Sequence, residues 1–434
     1  MSAFAGLVRR NSNYRYMWTG QLVSEIGDHF NNIAVFSLAL AHTKSGLVVS
    51  GVMLSRAVPA ILAGPIAGVL LDRLNRKQVM ICSDLLRALL ALGFILSIHE
   101  KGTWMLYAFS ALLMFASPFF TSGRSAILPT IATGEELTIA NSLTQTTQWT
   151  TLTIGTFLAG ASVMQFGYKW AFVLNSLSFL ISAFCISRIR LEPGAFRARR
   201  ELAPGVRPWH DYLEGLRYIR ATPLIFAIFL VGVGWASGGG AAQILFSLFG
   251  DLVFHRGAAG IGIIWGCAGV GLLIGGTFAH WLGKRISFTG YKRTIVVCYI
   301  VHGGAYIVFS QMPTLGLALI FIALSRAAVA VSSVLNYAHL LRNVAHEYRG
   351  RVFATLESLV WSTMMLSMLG AGIASQYYSP RVIGAWAGAL SSTTALFWGW
   401  AHLTGRLPEP IPRDVMPQTP IPREELQEEP ALPA

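Results

Sequence analysis

The chain has 434 residues, 54% of them hydrophobic and only 12% charged, with Lys+Arg 33 against Asp+Glu 20 and a formal net charge of +13. Soluble domains carry about 25% charged residues, so this chain lacks the polar side chains to cover a soluble globule, and its apolar content and mean hydropathy of +0.55 exclude a disordered one. The four cysteines, Cys82, Cys185, Cys267 and Cys298, are dispersed and form no CxxC pair, which leaves no disulfide framework and no metal site.

A helix needs roughly 20 apolar residues to cross about 30 Å of hydrocarbon. Twelve runs meet that length: 15–41, 46–71, 78–98, 103–123, 139–165, 168–187, 223–250, 257–282, 293–311, 314–341, 353–376 and 380–402. The first is too long for a signal-peptide core and holds Glu25 and Asp28, so it is expected to be retained. Within it Gln21, Glu25, Asp28, His29 and Asn32 recur at helical spacing and form one polar stripe. Such a stripe belongs against a hydrated, protein-lined cavity, because a charge at the bilayer centre costs about 2.5–3.5 kcal/mol. Arg56, ten residues into the second run, falls at a similar depth and is predicted to pair with Asp28 or Glu25. The carboxylate left over could take up and release a proton; a purely structural Asp–Arg pair is the alternative.

Between runs 2 and 3 stands GVLLDRLNRKQ, with Gly68, Asp72, Arg73, Arg76 and Lys77, and Asp84 and Arg87 follow within run 3. Arg326 lies in the middle of run 10 among small residues, where it could meet an anionic substrate group or a carboxylate of another helix. Glu357 is placed near the start of run 11. His280, His302 and His339 read as packing residues rather than proton carriers. Gly64/Gly68, Gly234/Gly238, Gly262/Gly266 and Gly271/Gly275 are spaced for close helix approach. Of the tryptophans at 149, 170, 235, 265, 361 and 398, no more than a third are expected at a cavity, the others anchoring at the interface or facing lipid.

With both termini in the cytoplasm, the inside connections carry 22 Lys and Arg, whereas the outside ones carry only Lys44, Lys101, Lys169, Arg256 and Arg381. That asymmetry sets the topology and explains the positive charge through contact with anionic lipid rather than nucleic acid. The polar stretch 188–222 divides the chain into a six-helix N-terminal bundle (1–187) and a six-helix C-terminal bundle (223–402). Within this linker DYLEGLRYIR reads as a short amphipathic helix on the cytoplasmic surface. The Pro- and Glu-rich tail, 403–434, is expected to be disordered. The halves echo one another: GVLLDRLNRKQ after run 2 is matched by GTFAHWLGKR after run 8, with His280 in place of Asp72, and GRSAILPTIATGEELTIANS by LLRNVAHEYRGRVFATLES. Repeats of this size mark transporters.

Six plus six runs with the Asp-Arg-Arg-Lys loop after run 2 resemble the major facilitator superfamily. QLVSEIGDHFNNIAV, SRAVPAILAGPIAGVLLDRLNRKQVMICSDLLRA, ILPTIATGEELTIANSL and EYRGRVFA are similar to its bacterial drug-export branch, which includes macrolide-efflux and enterobactin-exporter-like proteins. The likeness spans roughly residues 8–402. Two positions depart from it: Asn75 stands where the family has Gly, a residue that also tolerates a left-handed turn, and run 5 reads IGTFLAGA without the Gly-Pro common in exporters.

The resemblance implies an all-α membrane protein of twelve transmembrane helices in two pseudo-symmetric bundles, working as a monomer in the inner membrane. It implies export of a drug- or siderophore-like small molecule by alternating access, driven by protons. Glu25, Asp28, Asn32, Arg56 and Arg326 would serve coupling and the cavity. Gly68, Asp72, Arg73, Arg76, Lys77, Asp84 and Arg87 would form a cytoplasmic gate. A lysophospholipid or lipid flippase, an importer of the same fold, and a non-transporting scaffold or sensor remain open. The absence of GxxxxGK[ST] argues against ATP as the energy source. The absence of HExxH or HxxxD clusters argues against a membrane enzyme, and no cofactor or metal is expected.

Overall fold

The computed structural model describes residues 2–99, 102–132, 134–191, 196, 208–345 and 348–409. Among these, all twelve runs are helices: α2 (Ser12–Thr43), α3 (Gly46–Arg73), α4 (Arg76–Gly93), α5 (Trp104–Ile131), α6 (Glu135–Phe166) and α7 (Tyr168–Ser187), then α9 (Pro223–Leu248), α10 (Gly257–Gly283), α11 (Phe288–Gln311), α12 (Leu315–Asn343), α13 (Arg349–Ala374) and α14 (Pro380–Leu403). Two further helices, α1 (Ser2–Arg10) and α8 (Pro208–Ala221), precede the two sets. Among the described residues, nine helices are long and apolar enough to cross a membrane by length and composition; α2, α6 and α14, with more polar residues, are not among them.

The first six long helices pack on one another, chiefly α2 on α6 and α7, α3 on α5, and α4 on α5 and α7. The second six do likewise through α9 with α13 and α14, α10 with α12, and α11 with α12 and α14. The two bundles meet where α6 lies on α10 and α3 on α13, the same helix pair by the internal repeat. Lipid is the apolar solvent outside, so glycines rather than hydrophobic burial bring these helices together. A methyl group at Gly238 or Gly275 would overlap the carbonyl of Ala387 or Ala327, and one at Gly262 the carbonyl of Thr156. Three of the four predicted glycine pairs therefore sit at crossings. The fourth, Gly64 and Gly68 on α3, faces nothing within 4 Å.

The linker end, where α3 meets α4 and α7 meets α8, differs from expectation in four ways. Asn75 does not make a left-handed turn: its backbone is extended (φ −70°, ψ 110°) and its side chain caps α4, accepting from the Lys77 and Gln78 amides at 3.1 and 3.3 Å. The amphipathic helix α8 gives its face to protein. Tyr218 stacks on Tyr348 at 4.6 Å, Glu214 pairs with Arg351, and Gly215 abuts the Arg351 carbonyl. α5 runs to Ile131, eight residues past the predicted end, and so takes in Arg124. The stretch expected as a disordered tail begins in contact with the fold, since Leu407 is buried and its carbonyl accepts from Lys292 Nζ at 3.0 Å. Residues 410–434 of that stretch lie outside the described residues.

Candidate functional site

A cavity of about 570 Å³ lies between the bundles, near the middle of the long helices. The N-terminal half supplies His29, Asn32, Ile33 and Phe36 from α2, Met53, Arg56, Ala57, Ala60 and Ile61 from α3, Met114 from α5, and Leu152 and Thr156 from α6. The C-terminal half supplies Gln243 from α9, Trp265 from α10, and Trp361, Met365 and Met368 from α13. Among the described residues the wall is mostly apolar, with four unbranched methionines that adapt to varied shapes and a single charge, Arg56. Of the six tryptophans singled out in the sequence, Trp265 and Trp361 line it; Trp398 is instead buried in the C-terminal bundle, its Nε1 donating to the Lys292 carbonyl at 3.0 Å.

The stripe on α2 is divided between this cavity and the bundle behind it. His29 and Asn32 face the cavity. Glu25 does not pair with Arg56. Its Oε1 accepts from Gln21 Nε2 at 2.7 Å, its Oε2 from Thr151 Oγ1 at 3.0 Å, and Arg124 Nη1 stands 3.7 Å away. The partner of Glu25 is thus an arginine counted from sequence as a loop charge. The apolar residues after it, Ala126 to Leu128, were the signal that the helix continues. Asp28 lies in the field of Arg87 and Arg56, with Glu25 and Asp84 as the nearby like charges. Arg56 feels the Asp28 charge and rests over the Phe36 ring at 5.9 Å; among the described residues it has no ion pair or hydrogen bond.

The residues grouped from sequence as a gate separate into three environments. Asp84 and Arg87 form an ion pair fully inside the N-terminal bundle, with the guanidinium between the rings of Phe120 and Phe179 at 4.7 and 4.4 Å. Arg76 and Lys77 bind carbonyls at helix ends of the same bundle: Arg76 Nη1 donates to Ala126 at 3.0 Å, and Lys77 Nζ to Ser187 and Ile189 at 2.7 and 2.8 Å. Only Gly68, Asp72 and Arg73 are open, Asp72 and Arg73 being exposed without a partner among the described residues.

Among the described residues, contacts between the halves gather at the opposite, far end and run along α6 and α10 as far as Trp149 against Gly276. Ser50 Oγ donates to the Met368 carbonyl at 2.9 Å, Lys44 Nζ meets Asp251 at 3.3 Å, and Gly46, Gly160 and Gly372 abut Ser375, Ala258 and Ser50. Arg326 stands apart on α12, 8% exposed, its guanidinium 4.9 Å from the Phe246 ring. His302 bonds Ser325 Oγ at 2.8 Å, His280 and Glu357 are exposed, and His339 stacks on Tyr291 at 3.8 Å.

Comparison with known proteins points the same way. The sequence profile described as Major Facilitator Superfamily matches residues 17–355. BacE of Bacillus subtilis, a candidate bacilysin exporter, is 26% identical over 383 residues, covering 83% of this chain and 90% of its own. Macrolide efflux protein A of Streptococcus pyogenes is 25% identical over 374 residues, covering 84% and 89%. The crystal structure of a bacterial homologue of the iron transporter ferroportin superposes with a TM-score of 0.67 at 17% identity, over 89% of this chain and 98% of that one.

Proposed function

Because the chain belongs to the Major Facilitator Superfamily, and is thus a non-enzymatic, multi-pass secondary transporter of the cell membrane, we propose that it exports drug-like organic molecules from the cytoplasm in exchange for protons. The observation that carries this reading is the cavity between the halves: it is closed by direct contacts at the far end, while Gly64 and Gly68 on the linker side of α3 face open space. On this reading the linker end and both termini are cytoplasmic, as the charge count expects, and the protein stands open inward. In the opposite state the α3 glycine pair packs against the linker-side half of α13, Asp72 and Arg73 engage the C-terminal half, and the far-end contacts part. Asp28 takes up a proton and thereby releases Arg56, the charged group on the wall; Glu25 stays held by Arg124 in the bundle behind it. The adaptable methionine wall suits substrates of varied shape, as the macrolide and multidrug efflux relatives transport by name.

The test is accumulation in everted membrane vesicles, with and without an imposed pH gradient, across dyes, macrolides and siderophores. Gradient-dependent uptake of at least one class is expected; flux indifferent to the gradient in every class would end the proton-coupled reading. The same apolar wall, with Ile61 and Trp361 on it each about half exposed, would also suit a lysophospholipid. A fluorescent lysolipid in the panel, moved faster than any drug, would favour a flippase.

A further inference from the structure

The interior charges of the two bundles do not balance in the same way. In the N-terminal half Glu25, Asp28 and Asp84 are matched by Arg124, Arg56 and Arg87. Residues 223–402 contain three acidic residues: Asp251, Glu347 and Glu357. Asp251 is engaged by Lys44 at the far end, and Glu347 lies outside the described residues. Glu357 is exposed eight residues into α13, roughly 12 Å from the linker end at 1.5 Å per residue. Arg326 is seventeen residues from that end of α12, roughly 25 Å deep. Among the described residues, Arg326 is therefore a buried cation with no acid at its level in its own half, and it makes no ion pair or hydrogen bond there. A buried charge left uncompensated is strongly destabilising, so a position of this kind is retained for something that arrives.

Two unpartnered donors stand near it. The Phe246 ring is the common neighbour of Arg326 at 4.9 Å, Trp265 at 4.9 Å and Tyr306 at 6.4 Å. The Trp265 Nε1 and the Tyr306 hydroxyl are both buried with no hydrogen-bond partner. Trp265 lines the cavity, and so does Gln243, three residues before Phe246. A guanidinium, an indole N–H and a phenol O–H around one ring form the donor set for an anionic oxygen group, and charge-assisted bonds from arginine to a carboxylate are the strongest of these contacts.

We infer that the C-terminal wall of the cavity holds an anion subsite, Arg326 with Trp265 and Tyr306, which takes the carboxylate of an organic anion whose apolar body lies among the methionines. The Phe246 ring covers Arg326, and its displacement by the entering group joins the subsite to the cavity. This rests on the transporter reading above and adds to it the charge of the substrate: the protein exchanges protons for an anion-bearing molecule rather than for a cationic drug.

The experiment is a binding series on the full-length protein in phosphatidylcholine nanodiscs, read by tryptophan fluorescence, with three probes sharing one body: 1-naphthylacetate, 1-naphthylacetamide and 1-naphthylmethylammonium. The naphthylacetate is expected to bind at least tenfold more tightly than the amide or the ammonium. Arg326→Gln is expected to erase that preference to within twofold, and Arg326→Lys to keep part of it. Equal or tighter binding of the amide or ammonium by the unaltered protein would overturn the inference without recourse to any variant. So would an Arg326→Gln protein that keeps the tenfold preference. Displacement by sn-glycerol 3-phosphate at lower concentration than by naphthylacetate would assign the subsite to a lipid headgroup and overturn it as well. Binding is read without flux, so a failure here is separate from a failure of gradient-driven transport in vesicles.

Discussion

Glu25 and Asp84 are both carboxylates inside the N-terminal bundle, yet their partners assign them different work. Asp84 and Arg87 are closed off together between two phenylalanines. Removing one member of a buried pair strands the other, which costs about 3–5 kcal/mol. Arg87→Leu is therefore expected to abolish monodisperse protein in detergent, a folding defect rather than a gating one. Asp72→Asn, at an exposed position, should shift stability by no more than about 0.5 kcal/mol and instead lower turnover more than substrate affinity, as measured by initial uptake rates against substrate concentration. Glu25 lies between these cases. Its bond to Arg124 is partly exposed, so Arg124→Gln should cost about 1–3 kcal/mol, and adding Glu25→Gln should recover part of the loss in a double-mutant cycle of thermal unfolding. The polar stripe on α2 was legible because helical spacing alone gathers it on one face. The partner of Glu25 was not. An arginine at the edge of an apolar run looks the same whether the helix stops there or continues, and Arg124 sits before a further seven residues of α5.

Helices in this protein meet through glycine, and their positions follow from where backbones touch. Gly275→Leu would drive a side chain into the Ala327 carbonyl; overpacking of this kind costs about 1–3 kcal/mol, readable as a lower melting temperature. Gly68→Leu meets nothing and should leave the melting temperature unchanged while stopping transport, because the closed-inward state needs that surface. Loss of stability in the Gly68 variant comparable to that at Gly275 would show α3 already packed there. The spacing of four glycine pairs was plain in the sequence, but spacing does not say which pair is occupied in a given state. The linker helix α8 was legible as amphipathic for the same reason that its location was not: an apolar face fits a membrane surface and a protein groove equally, and only the stacking of Tyr218 on Tyr348 decides. Asn75 is similar, since one residue type serves both left-handed turns and helix caps.

At the scale of the molecule, two bundles of like architecture carry unlike chemistry, ionisable networks in one and an isolated arginine in the other. The fold was legible throughout, because twelve apolar runs, a charge asymmetry and an internal repeat agree with one another. The interface was not, because contacts between halves change with state and the sequence records all states at once. If the far end is the outer gate, cysteines at Gly46 and Ser375, whose side chains meet directly, should cross-link in a background lacking the native cysteines and stop flux until reduced. Cross-linking without loss of flux would place the moving boundary elsewhere. The most direct measurement of the central claim compares two assays on one variant, Asp28→Asn, in proteoliposomes carrying a transported substrate. Substrate exchange at equal pH should persist, because the cavity is intact, while accumulation driven by a pH gradient should fall to the background of empty vesicles. Undiminished gradient-driven accumulation by Asp28→Asn would contradict the assignment of the proton to Asp28, the carboxylate in the field of Arg56.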